Sequence, residues 1–485
     1  TLADLDGLPG LEIIAMEKNS KQIYIYRSDG TLLPGWPQSL HWSWAWTTPA
    51  VGDIDGDLDL EIIVNNLSGE TLAWHHDGTE VADGDANAAT NGVLIVRPEG
   101  RYAWDLSAPA LFDLDGDGGA EMIFGTKYAW NNINKLHAFK ADGSEAPGFP
   151  HEVGLGANIL SSPSVADLDV DGIWEIVFIC ENDTLYVLEQ DGSNYPGFPI
   201  HFVATASGAG CPSPALGDFD GDGELEIAAI SVVGSLDSYA YVIDTDKTGG
   251  SGTVLPGWPR HMPGNSESSP VVGDVNGDGF PDILFGIGGG SEDTPNNLYA
   301  FTHDGNDVDG FPITLSGPIR PAPVICDLDG DMDVDIIYGG WDLLVHVWDM
   351  PFAVDGTTMT WTTFRNNVHR DGVYRVISLT GVPEETPGPQ VLTVKSISPN
   401  PFNPSTTVSL FLPGLAGTTD HLRVEVFDVL GRRVRTLYDD QAAPGWQSFV
   451  WHGRDDRGRQ QPSGVYLLRA RGGDRSVSAK MMLVK

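Results

Sequence analysis

A chain of 485 residues with 41% apolar side chains can hold several domains, or one large β-architecture and a smaller companion, and is no peptide hormone or small disulfide scaffold. Its 68 Asp and Glu outweigh 27 Lys and Arg, and the net charge of −41 repels nucleic acid and anionic lipid at ordinary salt. No run of about eighteen apolar residues could span a bilayer as a helix, and the three cysteines, Cys180, Cys211 and Cys326, lack CxxC spacing and are expected to be buried apolar thiols.

The chain enters its first repeat part-way, at Thr1, so the absence of an N-terminal targeting segment carries no information. Acidic clusters begin at Asp4, Asp53, Asp113, Asp167, Asp218, Asp274 and Asp327, spaced 49, 60, 54, 51, 56 and 53 residues apart. A period of this size points to a repeat architecture, which dictates the fold before any local assignment is made. Each cluster leads into a short β-branched run such as Ile62-Ile63-Val64 or Ile176-Val177-Phe178, whose length and composition suit a strand buried on both faces. A second strand follows, at residues 23–26, 185–188 and 298–301 for example, and usually ends in an Asp-Gly turn such as Asp77-Gly78 or Asp191-Gly192. Pro-Gly-aromatic-Pro then recurs at residues 34–37, 147–150, 196–199 and 256–259, predicting a type II turn whose aromatic ring plugs the gap between neighbouring sheets.

Four short strands per unit, seven units and no helical periodicity predict an all-β fold, a seven-bladed β-propeller over residues 1–377. Residues 359–374, with Trp361 and Phe364, are expected to supply outer strands that close the ring. A linker rich in Pro and Gly at 378–392 precedes a small β-sandwich at 393–485, where apolar and polar residues alternate between Gly, Pro and Asp turns. The charge changes at the same place: residues up to 390 hold 14 Lys and Arg against 60 Asp and Glu, the remainder 13 against 8.

Six clusters share a 1-3-5-9 spacing of oxygen side chains: Asp53, Asp55, Asp57 and Glu61; Asp113, Asp115, Asp117 and Glu121; Asp167, Asp169, Asp171 and Glu175; Asp218, Asp220, Asp222 and Glu226; Asp274, Asn276, Asp278 and Asp282; and Asp327, Asp329, Asp331 and Asp335. Carboxylates alternating on a tight turn converge on one point and repel one another unless a hard cation lies between them. An oxygen-only set selects Ca²⁺ over zinc or copper. In the first cluster Leu8 stands at the fifth position, leaving Asp4, Asp6 and Glu12, and that loop is expected to be empty or weak. If each of six sites binds near 10⁻⁴ M in millimolar calcium, each contributes about 1.4 kcal/mol and the set about 8 kcal/mol, comparable to the net stability of a domain.

The repeats resemble the FG-GAP/VCBS repeats of integrin α-type propellers, residue by residue at positions one, three, five and nine of each loop. The resemblance implies a backbone carbonyl ligand at position seven and places each loop between the innermost strand of a blade and the next. In the C-terminal piece, residues 400–404 (Asn-Pro-Phe-Asn-Pro), Gly431-Arg432, Trp451-x-Gly453-x-Asp455, Ser463-Gly464-Val465-Tyr466 and the ending 480–485 resemble the FlgD-like immunoglobulin fold used as a type IX (Por) secretion sorting domain. That resemblance implies export across a bacterial outer membrane, with the secretion machinery as partner and an extracellular or cell-surface location. An Ig-like spacer without a sorting role is the alternative.

No catalytic residues are assigned, because the twelve histidines are scattered and no HExxH, GxSxG or P-loop appears. Ligand specificity in a repeat protein sits where its copies differ. The residues preceding each innermost strand differ most, which singles out Trp44, Trp46, Trp104, Asn158, Asn265, Glu267 and Arg320 as ligand candidates. Indoles beside amides and charges suit a sugar ring, and inter-blade packing is the competing explanation. The sequence reading is therefore a secreted, calcium-stabilised binding or adhesion module for a glycan or protein. An extracellular polysaccharide lyase and a self-assembling structural protein are the alternatives.

Overall fold

The computed structural model describes residues 1–374 and 393–484, except 9, 42–44, 46, 85, 88–89, 98–102, 105–106, 129–133, 155–156, 203–210, 235–236, 248–249, 289–295, 330, 355–357, 399–401, 403–404, 413–419, 429–431, 443–444, 458 and 473–474. The proposed linker at 378–392 lies outside the described residues. Two compact units divide the chain, residues 1–376 and 377–485.

In the first unit seven antiparallel sheets succeed one another, at residues 2–39, 50–96, 110–152, 164–201, 215–263, 271–315 and 324–353, here sheets 1 to 7. Among the described residues, sheets 1 to 6 each have four strands in chain order and sheet 7 has three. A two-stranded ribbon, Ala103–Trp104 with Lys127–Tyr128, stands beside sheet 3. The all-β expectation holds, since every regular element among the described residues is a strand.

The second strand of each sheet explains the stacking. Every residue of Glu61–Asn65, Glu175–Cys180 and Asp282–Ile287 is buried, which requires cover on both faces of the sheet. Neighbouring sheets provide it: Ile14, Ile25 and Trp36 of sheet 1 pack with Ile62, Val64 and Trp74 of sheet 2, and Leu284 and Leu298 of sheet 6 with Ile336 and Tyr338 of sheet 7. The core is thus a series of layers between sheets.

The Pro-Gly-aromatic-Pro turns interlock these layers. Gly35 has φ +90°, and a Cβ there would stand 1.8 Å from the carbonyl oxygen of Asp77, in the Asp-Gly turn of the next sheet. Gly148 meets Asp191 in the same way at 1.8 Å and Gly257 meets Asp304 at 2.0 Å, so glycine is required by conformation and by contact together. The aromatic plug is also present: Trp36 Nε1 donates to His76 O at 2.9 Å and its ring meets Trp74 edge-on at 5.9 Å, while Trp258 repeats both contacts with His303 and Phe301. The aromatic-proline peptide is cis in five copies, from Trp36-Pro37 to Phe311-Pro312.

Residues 359–374 correct an expectation. They form no outer strands; they run through the centre of the unit and bond to the inner strand of every sheet. Ile325 N donates to Thr362 O at 2.8 Å, Val272 exchanges hydrogen bonds with Trp361 at 2.8 and 3.1 Å, and Thr360 Oγ1 donates to Leu216 O at 3.2 Å. Val165 N then donates to Gly372 O at 2.9 Å, Leu111 N to Asp371 O at 2.9 Å, Val51 N to His369 O at 3.1 Å and Leu2 N to Val368 O at 2.9 Å. The physical reason is that an inner strand pairs with its sheet on one side only, and the amides on its other side need acceptors once buried. One central segment supplies them, with Trp361 and Arg365 almost fully buried and the Arg365 guanidinium donating to Pro109 O. Seven inner strands gathered about one segment make the arrangement radial, as a propeller requires. The cysteines need a smaller correction: all are free, but only Cys180 is buried, and Cys211 and Cys326 are half-buried.

The second unit is a sandwich of a three-stranded sheet (strands Thr393–Ser398, Thr406–Leu412 and Gly445–Trp451) and a four-stranded one (Asp420–Asp428, Arg433–Ala442, Gly464–Gly472 and Arg475–Leu483). Trp451 sits in its core edge-on to Tyr466 at 4.9 Å, with Nε1 donating to Arg454 O at 2.9 Å, and Tyr466 OH donates to Pro462 O at 2.8 Å. Asp455 accepts from the amides of Arg457 and Arg459 and pairs with the Arg459 guanidinium at 2.9 Å. The Trp-x-Gly-x-Asp residues therefore build a turn that anchors the core.

Candidate functional site

In each sheet the acidic cluster forms the loop between first and second strands, here loops 1 to 7. The position-one carboxylate caps the loop: Asp53 accepts from Gly56 N and Leu58 N at 2.7 and 2.9 Å, Asp218 from Gly221 N and Gly223 N at 2.7 and 3.1 Å, and Asp274 from Gly277 N and Gly279 N at 2.6 and 2.9 Å. Position five accepts from the amide of position seven, as Asp171 does from Ile173 at 2.8 Å. The turn is tight enough to force positive φ on residues that resist it, Leu58 at 70°, Val170 at 56° and Met332 at 74°, all exposed.

Position nine comes from the start of the buried second strand, so its carboxylate is carried into the interior. One oxygen is pinned by the backbone amide of position two in all seven loops, from Leu5 to Glu12 at 2.7 Å through Ile54 to Glu61 at 3.0 Å, Leu168 to Glu175 at 2.7 Å and Phe219 to Glu226 at 2.6 Å, to Leu328 to Asp335 at 2.8 Å. That hydrogen bond leaves the second oxygen for the loop. In Glu175, fully buried, Oε1 has no hydrogen-bond partner. Burial, reinforced by the neighbouring carboxylates and only partly offset by the amide, pushes Glu61 up to about 8, Glu121 to about 7, Glu226 to about 9 and Asp282 to about 8. Oxygens of positions one, three and nine lie within 4.8 Å of one another in loops 1 to 4, Asp4, Asp6 and Glu12 included. Such a set can hold a hard divalent cation with Asp, Glu and Asn oxygens as its ligands.

Basic side chains reach some of these loops. Lys140 Nζ lies 2.5 Å from Asp115 and 2.7 Å from Asp117, Lys247 Nζ 2.6 Å from Asp169 and 3.0 Å from Asp171, Arg27 Nε 2.9 Å from Asp6, and His75 Nδ1 3.1 Å from Glu61. A cleft of about 250 Å³ opens between loops 2 and 3, lined by Asp55, Asp117, Glu121 and Lys140. The sequence reading did not single out these basic side chains; the available signal was that Arg27, His75 and Lys140 each directly follow a third strand.

The ligand candidates fare differently. Trp44, Trp46 and the Trp104 side chain lie outside the described residues. Asn158 donates to Glu181, which Lys127 also meets at 3.2 Å; Asn265 is buried, and its backbone carbonyl accepts from Gly288 N at 3.1 Å; Glu267 and Arg320 pair at 3.1 Å, joining the approaches to sheets 6 and 7. Sequence reasoning missed Trp341, which is 60% exposed at the hairpin tip of sheet 7 with the Arg320 guanidinium 4.5 Å from its ring centre. An indole directly after Gly339-Gly340, where a turn would ordinarily be polar, was the signal.

The FG-GAP-like repeat family matches residues 4–64, 167–229 and 274–338, each stretch spanning two acidic loops, and the FlgD Ig-like domain matches residues 405–476. No curated protein matches the sequence. Among solved structures, the biofilm matrix protein Bap1 of V. cholerae is 15% identical over 79% of this chain and 68% of its own, with a TM-score of 0.36. PorZ, a surface component of the type IX secretion system of Porphyromonas gingivalis, is 13% identical over 100% of this chain and 59% of its own, with a TM-score of 0.37. Likeness at that level carries no argument about function. The chain carries FG-GAP-like repeats followed by a FlgD Ig-like domain.

Proposed function

We propose that residues 1–377 form an extracellular propeller stabilised by about six calcium ions and acting as a binding or adhesion module, and that residues 393–485 are its address for export through the secretion machinery. The observation that carries the calcium reading is the repeated position-nine carboxylate, buried with one oxygen pinned by an amide and the other turned to the loop. The ligands are those at positions one, three, five and nine of loops 2 to 7, and the ion supplies positive charge that the side chains around these loops provide only in part. Sites of modest affinity fill in millimolar calcium, which suits the outside of a cell. Excess chelator should lower the melting temperature of the propeller by many degrees, with full recovery on adding calcium; an unchanged melt rejects calcium.

The binding reading rests on Trp341, an exposed indole beside the Glu267–Arg320 pair, which offers a sugar both a stacking face and charged hydrogen-bond partners. A polysaccharide panel in millimolar calcium should show retention without new ultraviolet-absorbing ends, and Trp341→Ala should reduce it about tenfold or more. New unsaturated ends would identify a lyase instead. Self-assembly is favoured by a separate observation, the three-stranded sheet 7, whose last strand Val345–Ala353 has no further strand beside it among the described residues and exposes Val345 and Val347. Such an edge accepts a strand from a second copy, and concentration-dependent sizing would report it.

A further inference from the structure

The seven acidic loops share the amide bond to the position-nine carboxylate and differ in what their surroundings place against them. The residue directly after the third strand faces the loop of its own sheet in sheets 1 to 3, where it is Arg27, His75 and Lys140. The same position is Gln190, Asp244 and Thr302 in sheets 4, 5 and 6. Loop 4 is supplied instead from the neighbouring sheet: Lys247 reaches across to Asp169 and Asp171, with Glu189 at 3.6 Å and the ring of Tyr195 4.7 Å beneath its ammonium. Among the described residues no Lys, Arg or His forms an ion pair with the loop 5 or loop 6 carboxylates.

An ammonium 2.5 to 3.0 Å from the carboxylates of positions three and five stands where a metal ion would bind those same oxygens. Both cannot be there, so calcium must displace the lysine, break two charge-assisted hydrogen bonds and then tolerate a cation nearby. The replacement is nevertheless incomplete. Lys140 Nζ is 3.8 Å from Glu121, and with Lys247 in place Glu175 Oε1 still lacks a hydrogen-bond partner, although its residue is fully buried. A divalent ion drawing on all four positions would satisfy the oxygen that the lysine leaves unpaired.

We propose, building on the calcium reading above, that the loops form two affinity classes, in which Lys140 and Lys247 are built-in counter-cations that hold loops 3 and 4 closed without calcium and make them its weak sites, while loops 5 and 6 depend on calcium for their neutralisation. Sheets 3 and 4 then keep their loops ordered in calcium-poor surroundings, and the loops of sheets 5 and 6 tighten as calcium rises.

Calcium titration of the demetallated full chain by calorimetry, with terbium luminescence as a second reporter, tests this on wild type, Lys140→Met, Lys247→Met, Lys140→Arg and Asp220→Asn. Each methionine variant should convert one weak site into a tight one, with about a tenfold or greater fall in its dissociation constant, and should melt lower than wild type in chelator but not in saturating calcium. Lys140→Arg should retain the weak site, and Asp220→Asn should lose a tight site while leaving the weak ones. Methionine variants that bind calcium as wild type does would overturn the two-class proposal and leave the calcium reading standing. Absence of calcium binding in wild type and all variants would overturn both.

Discussion

Asp183 shows how a single residue can be tuned against stability. Its φ of +59° is one that Asp and Asn tolerate, its Oδ1 accepts from Ser231 Oγ at 3.2 Å, and its buried Oδ2 has no hydrogen-bond partner. Burial pushes its carboxyl up to about 6, against the opposing pull of the Ser231 hydroxyl and the Val232 backbone amide. The folded form thus holds a proton that the unfolded chain releases near pH 4, so the stability of the neutral form is complete at low pH and is lost as pH rises through about 6. Asp183→Asn keeps the conformation and removes the charge. In millimolar calcium it should melt about 1–3 °C above wild type at pH 7.5, with a smaller gap at pH 5; equal melts at both pH values would contradict this.

The elements are held in register by turns whose glycines touch the next sheet. Gly148 combines φ +89° with an approach of 1.8 Å to Asp191 O, whereas Gly30 has φ +80° and open space around it. Gly30→Ala therefore meets only backbone strain, about 1 kcal/mol, and Gly148→Ala meets strain plus a clash with rigid backbone, about 2–3 kcal/mol in total. Denaturant titrations of the two variants should rank them in that order, and the reverse order would show that the turns do not interlock the sheets. These turns were legible in the sequence because Pro-Gly fixes a local conformation at four residues. Their partners were not, since the Asp-Gly turn that each one meets lies some forty residues further along the chain.

Across the whole molecule the two units differ in charge and in what stabilises them. All the acidic loops belong to residues 1–376, while the second unit is built on an apolar core around Trp451 and Tyr466. Differential calorimetry should show two transitions, with chelator moving only the one assigned to the first unit. A single transition, or a shift of both, would mean that the units unfold together.

The sequence by itself determined the repeat, its period, the succession of short strands and the acidic side chains that gather in each loop, because a turn of nine residues brings those groups together by local geometry alone. The tertiary structure decided what depends on residues far apart in the chain. Residues 359–374 read as strand-forming, but only the seven inner strands with unpaired amides determine that this segment runs through the centre. Lys247 lies 76 residues from the Asp171 it neutralises, and Arg320 finds Trp341 across a hairpin. Pairings of that kind are set by the angle and spacing between packed sheets, which no local pattern of residue types encodes.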